Sequence, residues 1–212
     1  MTSDSNSPKS ALESAKRTIA IERQAVEQLE LRIDDSFSKA VDLLAAAEGR
    51  VIVSGMGKSG HIGNKIAATL ASTGTPAQFV HPAEACHGDM GMVTRSDAAL
   101  LMSNSGTTSE LTALLPLLKR LGIPIVVMTG NDTSTLATAA DVHLDISVSE
   151  EACPLDLAPT ASTTANLVMG DALAIALLEQ RGFTAEDFAF THPGGALGRR
   201  LLTRVRDLLV TG

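Results

Sequence analysis

Hydroxyl side chains crowd one short stretch of the sequence, 103–109, around a single glycine. The stretch lies between an apolar run and a helical pattern, so hydroxyls and free backbone N–H groups would meet at the start of a helix. Such a helix start binds phosphate without needing net positive charge. Ordinary N-capping is the alternative, but a cap needs one hydroxyl and this stretch has five. The residues predicted to contact a ligand are Ser103, Ser105, Thr107 and Thr108.

A second loop, Gly55–Gly60, also follows an apolar run, and it carries Lys58 and Ser59. It fits G-x-G-x-x-G, but a dinucleotide site also needs an acid at the end of the second strand, where His81 stands. A P-loop would need a glycine at the position of Ile52. Lys58 and Ser59 at a helix start therefore predict an anion site of another kind, the alternative being a tight turn with a surface lysine.

Three further residues could move protons. Glu110 lies in the first turn of a predicted helix, and Glu151 follows the fifth predicted strand, where a carboxylate could act as a general base. His192 lies in a Pro/Gly turn. The alternatives are part of a helix cap for Glu110, a solvated acidic pair with Glu150 for Glu151, and a surface position for His192.

Two histidines, a cysteine and two acids fall within nine residues, 81–89. Their spacing matches neither C-x₂-C nor H-E-x-x-H, which argues against a required metal. His81 and His87 are therefore predicted to make polar contacts with substrate, and nothing marks Cys86 as an activated nucleophile.

Apolar runs alternate with helical patterns along the chain. This alternation predicts an α/β fold with a five-stranded parallel sheet and helices on both faces, in which ligands bind at the carboxyl ends of the strands. A long N-terminal helix, 10–47, precedes the first strand, and it would either lie across the domain or form a dimerisation arm. The predicted strands are 50–54, 76–80, 98–102, 124–129 and 142–148.

Composition narrows the function classes. The net charge is −7 over 212 residues, which argues against nucleic acid and anionic membranes as partners. Aromatic residues make up 2%, which argues against recognition by stacking. Two cysteines make no disulfide framework, and no signal peptide or membrane span is evident, so a soluble cytoplasmic protein is expected.

Taken together, the motifs resemble those of the sugar isomerase (SIS) domain family, and more narrowly the bacterial arabinose-5-phosphate isomerases. The resemblance covers about 10–209. It is carried by GMGKSGHIGNKIAATLASTGTPA, FVHPAEACHGDMGMV, SNSGTTSELTALLPLLKRLGIP, EEACPLDLAPTASTTANLVMGDALA and FTAEDFAFTHPGGALGRRLL.

The resemblance implies a flavodoxin-like sheet and a homo-oligomer, usually a tetramer, whose active sites are shared between subunits. It implies interconversion of ribulose 5-phosphate and arabinose 5-phosphate through a cis-enediol, on the route to the eight-carbon sugar acid of lipopolysaccharide. No cofactor is implied, and zinc at His81 would inhibit. The implied catalytic residues are Lys58, Glu110, Glu151 and His192, with Gly74, Thr75 and His87 contacting substrate.

The roles expected from this resemblance are specific. Glu151 is the expected base at carbon, and His192, from a neighbouring subunit, opens the ring or shuttles the oxygen proton. Lys58 would stabilise the enediolate or neutralise the phosphate, while Glu110 orients Lys58 or a substrate hydroxyl.

The expected domain organisation is a disordered tail at 1–9, the SIS domain at 10–202, and at 203–212 the start of a linker. In the family that linker leads to a pair of cystathionine-β-synthase-type (CBS) modules. Two other functions stay open: an isomerase for another sugar phosphate, and a non-catalytic domain that senses one.

Overall fold

A computed structural model describes residues 10–192. The predicted tail and linker, and the end of the predicted domain, lie outside the described residues. The fold is an α/β sandwich built on a five-stranded, fully parallel sheet in the order β2-β1-β3-β4-β5, as predicted. The strands are β1 (Val51–Gly55), β2 (Ala77–Phe79), β3 (Ala98–Met102), β4 (Ile125–Thr129) and β5 (Val142–Asp145).

Helices cover both faces of this sheet. Alternate strand residues point to opposite faces, so Val51 and Val53 join one buried cluster while Ile52 joins the other. Both faces are therefore apolar, which explains the continuous rather than alternating runs in the sequence. The helices are α1 (Ala11–Glu30), α2 (Asp35–Ala45), α3 (Gly57–Ser72), α4 (Pro82–Ala85), α5 (Ser109–Leu121), α6 (Thr135–Ala139), α7 (Ala161–Gln180) and α8 (Ala185–Thr191).

The N-terminal segment is two helices, α1 and α2, so the prediction of one long helix was wrong. Asp34 adopts an extended conformation, and its side chain accepts a hydrogen bond from the Ser36 N–H at 2.8 Å, which caps α2. Leu29 and Leu44 pack in the same core on either side of the break. Because both helices bury residues in that core, the apolar pattern of the sequence continues through the break. The break therefore cannot be recognised from that pattern.

The fifth strand ends at Asp145, three residues earlier than predicted. Asp145 accepts a hydrogen bond from the Ser147 N–H, and Arg32 donates to the Ser147 carbonyl, so the chain turns there. Glu150 and Glu151 therefore lie in the long loop between β5 and α7 rather than at the strand end.

Helix α7 is long and apolar enough to cross a membrane by length and composition alone. In this fold it packs against α1, α2 and α3, and its buried residues include Met169, Leu173 and Leu177. We therefore describe α7 as a core helix of the domain.

Candidate active site

The sheet order places the two loops singled out in the sequence side by side. Strand β1 pairs with β2 on one side and with β3 on the other, so the direction of strand succession reverses between β1 and β3. Helices α3 and α5 leave these neighbouring strands toward opposite faces. In open parallel sheets the crevice formed this way is where ligands bind.

Helix α3 begins close against β1. A β-carbon on Gly60 would lie 2.5 Å from the Gly55 carbonyl oxygen, so only glycine allows this approach. Met56, at the N-cap, makes no side-chain capping bond. Free N–H groups at the helix start thus lie beside Lys58, which is exposed, and Ser59, which is half-buried.

The hydroxyls of the β3–α5 loop bond to one another. Ser103 Oγ lies 2.8 Å from Thr108 Oγ1 and accepts the Gly106 N–H at 3.0 Å, while Ser105 Oγ accepts the Thr107 N–H at 3.3 Å. Thr108 is the N-cap of α5 but makes no side-chain capping bond. The hydroxyls therefore shape the loop and leave the start of α5 without a side-chain cap.

Glu110 lies in the first turn of α5, and His81 is the N-cap of α4, which follows β2. The Ser109 hydroxyl donates to Glu110 Oε2 at 2.8 Å. This bond, the Glu110 N–H and the charge of His81 lower the pKa of the Glu110 carboxyl. Nδ1 of His81 is buried and has no hydrogen-bond partner among the described residues.

A pocket of about 430 Å³ opens at the same edge, beside the β3–α5 loop. It contains the carboxylate of Glu151, whose Oε2 accepts hydrogen bonds from Thr160 N–H (2.7 Å), Thr160 Oγ1 (2.9 Å) and Ser162 N–H (3.3 Å). Burial acts to raise the pKa of Glu151, but the hydrogen bonds from Ser162 and Thr160 outweigh it and the pKa is lowered. The lining residues are Arg17, Asn104, Val148, Ser149, Glu150, Glu151, Cys153, Pro154 and Asp156.

Most of the lining residues were not anticipated from the sequence, and three of them, Asn104, Arg17 and Cys153, carry side chains that could contact a ligand. Asn104 belongs to the predicted loop and could have been included with its hydroxyl neighbours. Arg17 comes from α1, and no local pattern links it to the sheet edge. Cys153 lies in the β5–α7 loop, where backbone N–H groups of 155–158 lower the pKa of its thiol.

His192 lies elsewhere in the single chain. Thr191 Oγ1 donates to the carbonyl of Ser72, the last residue of α3, and the His192 ring stacks on Phe188 with centroids 4.0 Å apart. Helix α3 has 16 residues, so its far end is about 24 Å from the pocket edge. Within one chain, His192 is therefore at the opposite edge of the sheet from Lys58 and Glu110.

Gly74 and Thr75 lie at that same opposite edge, just before β2. Gly74 has φ +93°, and a β-carbon there would lie 2.3 Å from the Phe183 ring, so packing alone requires glycine. Thr75 is buried, and its Oγ1 has no hydrogen-bond partner among the described residues. Neither residue reaches the pocket of its own chain.

The segment around His87 forms no metal centre in the described part of the chain. His87 and Cys86 are exposed after the short helix α4. Within residues 10–192, no group of three or more His, Cys, Asp or Glu side chains could hold a metal ion. His81 and Glu110 alone do not complete a zinc site, which needs about four ligands.

Comparisons with known proteins agree on the family. The SIS domain model matches residues 43–176. The arabinose 5-phosphate isomerase KdsD of Pseudomonas aeruginosa is 68% identical over 201 residues, covering 95% of this chain and 62% of that protein. The protein of the same name from Escherichia coli K12 is 60% identical over 200 residues, covering 94% and 61%. The chain thus spans less than two thirds of these curated relatives.

A solved structure has the same fold. The E. coli CFT073 protein c3406, in complex with arabinose 5-phosphate, aligns with a TM-score of 0.83 and 44% identity, covering 86% of this chain and 97% of that one. Because the domain match spans more than half of the 212 residues, and relatives at 60% identity or more cover over nine tenths of the chain, the chain belongs to the SIS domain family.

Proposed function

We propose that this chain is an aldose–ketose isomerase that interconverts D-ribulose 5-phosphate and D-arabinose 5-phosphate through a cis-enediol. The observation that carries the proposal is the pocket in which the ionised Glu151 carboxylate lies beside the β3–α5 loop. The names of the curated relatives and the arabinose 5-phosphate complex of the solved neighbour support this substrate pair.

The phosphate end of the substrate would bind at the β1–β3 crevice. Helices α3 and α5 both start there without a bond from the N-cap side chain, so N–H groups at their starts and the positive ends of their dipoles could bind an anion. Lys58 adds a charge and Ser59 a hydroxyl. The positive charge that would bind phosphate is thus confined to the site, so the net charge of −7 over the whole chain does not argue against a phosphate ligand.

Glu151 would act as the base at carbon. It takes the C2 proton of the open-chain aldose, the electron pair forms the C1–C2 double bond, and the carbonyl oxygen at C1 gains a proton. Return of a proton to C1 with loss of the O2 proton gives the ketose. Glu110 lies in the first turn of α5, at the same edge, so Glu110 would orient a substrate hydroxyl or Lys58.

A complete site would need two subunits. His192, Gly74 and Thr75 lie at one edge of the sheet and Glu151 at the other, so a second copy would bring His192 to the pocket. Exposed apolar side chains on α1 and α7, such as Ile19 and Ile175, offer a surface for association. We therefore propose a homo-oligomer, with the tetramer as the expected form.

Five smaller proposals complete this account. The reaction needs no cofactor, and zinc at His81 would inhibit it. The protein acts in the cytoplasm, with no nucleic-acid or membrane partner. Its product supplies the eight-carbon sugar acid of lipopolysaccharide.

The direct test is a coupled assay in which D-arabinose 5-phosphate, D-ribulose 5-phosphate and several hexose phosphates are each offered to the protein, with and without EDTA. We expect turnover of the two pentose phosphates, unchanged or raised by EDTA. Turnover of a hexose phosphate alone would point to a different isomerase, and binding without any turnover would point to a sensing domain. Activity abolished by EDTA would contradict the cofactor-free reaction.

A further inference from the structure

The Glu151 carboxylate is held by one of its two oxygens. The Thr160 N–H, the Thr160 hydroxyl and the Ser162 N–H all donate to Oε2. Among residues 10–192, no side-chain or backbone group is seen to donate a hydrogen bond to Glu151 Oε1. Donors concentrated on a single oxygen fix the side-chain rotamer and leave the other oxygen available to the pocket that Glu151 lines.

The proton of the Thr160 hydroxyl has a defined direction. Thr160 Oγ1 accepts the Ala152 N–H at 2.8 Å, so its own proton goes to Glu151 Oε2 at 2.9 Å. The Ala152 bond ties the hydroxyl to the residue next to Glu151. Thr160 therefore connects the loop that carries Glu151 to the start of α7 through three contacts.

The N-terminus of helix α7 also stabilises the negative charge of the Glu151 carboxylate. Thr160 is the N-cap of α7 but makes no side-chain capping bond, so the Glu151 carboxylate occupies the capping position from outside the helix. Ser162 is 1% exposed, and its N–H donates to the carboxylate at 3.3 Å.

Other charges face the same carboxylate. Arg17 of α1 lines the pocket, and its positive charge favours the ionised form, while the negative charges of Glu150 and Asp156 in the β5–α7 loop oppose it. The Cys153 thiol lines the same pocket. Glu22 of α1 accepts from Thr164 Oγ1 at 3.1 Å, one turn further along α7. The N–H and hydroxyl donors to Oε2 therefore favour the ionised carboxylate beside two other acids.

We propose that Thr160 is a positioning residue whose N–H and hydroxyl fix the Glu151 carboxylate for proton abstraction. The proposal rests on the isomerase function and on Glu151 as the base. The Thr160 hydroxyl acts through the carboxylate.

The test compares Thr160→Val with Thr163→Val. Thr163 lies in the same turn, but its hydroxyl donates to the Thr160 carbonyl rather than to Glu151. Rates with D-arabinose 5-phosphate are measured from pH 4 to 8. The ratio of kcat/KM between variant and unaltered protein cancels ionisation of the substrate phosphate. A second readout is the pH titration of the Glu151 side-chain carboxyl by carbon NMR, assigned with Glu151→Gln.

Removing the Thr160 hydroxyl should move the acid limb of kcat/KM, and the NMR titration of Glu151, upward by about 1 pH unit, since one lost charge-assisted bond is worth about that much. Thr160→Ser should restore the unaltered profile, and Thr163→Val should leave both readouts in place. If Thr160→Val folds poorly, Thr160→Ala makes the same comparison, because it also removes the hydroxyl and keeps the backbone bond.

A rate that falls equally at every pH, with the Glu151 titration unmoved, would overturn the proposal and leave a structural role. This failure is distinct from failure of the proposed function, in which the unaltered protein itself would turn over no pentose phosphate.

Discussion

Glu151 combines two tasks in one side chain, since it caps α7 and lines the pocket. Replacing it with glutamine keeps an oxygen that can accept the Thr160 N–H but removes the base. We expect kcat to fall by about 10²–10⁴, the usual contribution of a positioned acid or base. The measurement is kcat for D-arabinose 5-phosphate at neutral pH.

The matched control for that substitution is Glu179→Gln, which makes the same change on an exposed position of α7. It should keep the rate and the Tm of the unaltered protein. A near-normal kcat for Glu151→Gln would remove Glu151 from the role of base.

The lowered pKa of Glu151 also links folding to pH. A carboxyl with a lowered pKa in the folded state stabilises the fold above its ordinary pKa, and that contribution is lost as the pH falls through the folded value. The free energy of unfolding of the unaltered protein should therefore drop more steeply below about pH 4.5 than that of Glu151→Gln. Urea denaturation between pH 3 and 7 measures this, and parallel curves would contradict it.

At the scale of elements, the close approach of α3 to β1 positions the first of the two loops that we propose bind phosphate. Gly60→Ala would force its β-carbon against the Gly55 carbonyl, so we expect a loss of about 1–3 kcal/mol in the free energy of unfolding. Displacing the start of α3 should also raise KM more than it lowers kcat. Chemical denaturation and steady-state kinetics measure the two effects.

Gly91→Ala provides the comparison, because a β-carbon there has no heavy atom within 4 Å. Its stability and KM should stay close to those of the unaltered protein. If Gly60→Ala and Gly91→Ala lost the same stability and raised KM equally, the close approach of α3 to β1 would not be what positions this loop.

The elements were predictable from the sequence where periodicity was unambiguous. The strand runs ending at Gly55, Met102 and Thr129 are continuous and apolar because they are buried on both faces, and glycine or hydroxyl residues end them clearly. The break at Asp34 was not predictable in this way, since α1 and α2 share one core and the stripe runs through the turn. The strand end at Asp145 depends on Arg32, which is distant in sequence.

The site was predictable only in its local parts. The hydroxyl loop and Lys58 are recognisable because each lies between a strand and a helix. The bonds from Thr160 to Glu151 span nine residues of irregular loop, and Arg17 reaches the pocket from α1. Contacts of this kind follow from tertiary packing and leave no pattern in the sequence.

At the scale of the whole molecule, the proposed site needs two chains. Glu151→Gln and His192→Asn should each be nearly inactive as pure oligomers. Mixed oligomers, formed by co-expression, should regain activity, because one chain can supply His192 to a pocket whose Glu151 is intact. The activity of purified mixed oligomers measures this recovery.

The control mixture pairs Glu151→Gln with Glu110→Gln. Both residues lie at the carboxyl edge of one chain, so no pocket in the mixture would hold both, and activity should stay low. If mixed oligomers of Glu151→Gln and His192→Asn regain no more activity than this control mixture, then His192 does not act across subunits.

The central claim is proton transfer at C1 and C2 of a pentose phosphate by Glu151. The most direct measurement follows D-arabinose 5-phosphate by proton NMR in D₂O with the protein present. The account predicts that D-ribulose 5-phosphate appears and that solvent deuterium enters at the reacting carbons. Both should be lost in Glu151→Gln and retained in Glu179→Gln. A C2 proton that neither exchanges nor migrates in the presence of the unaltered protein would contradict the account.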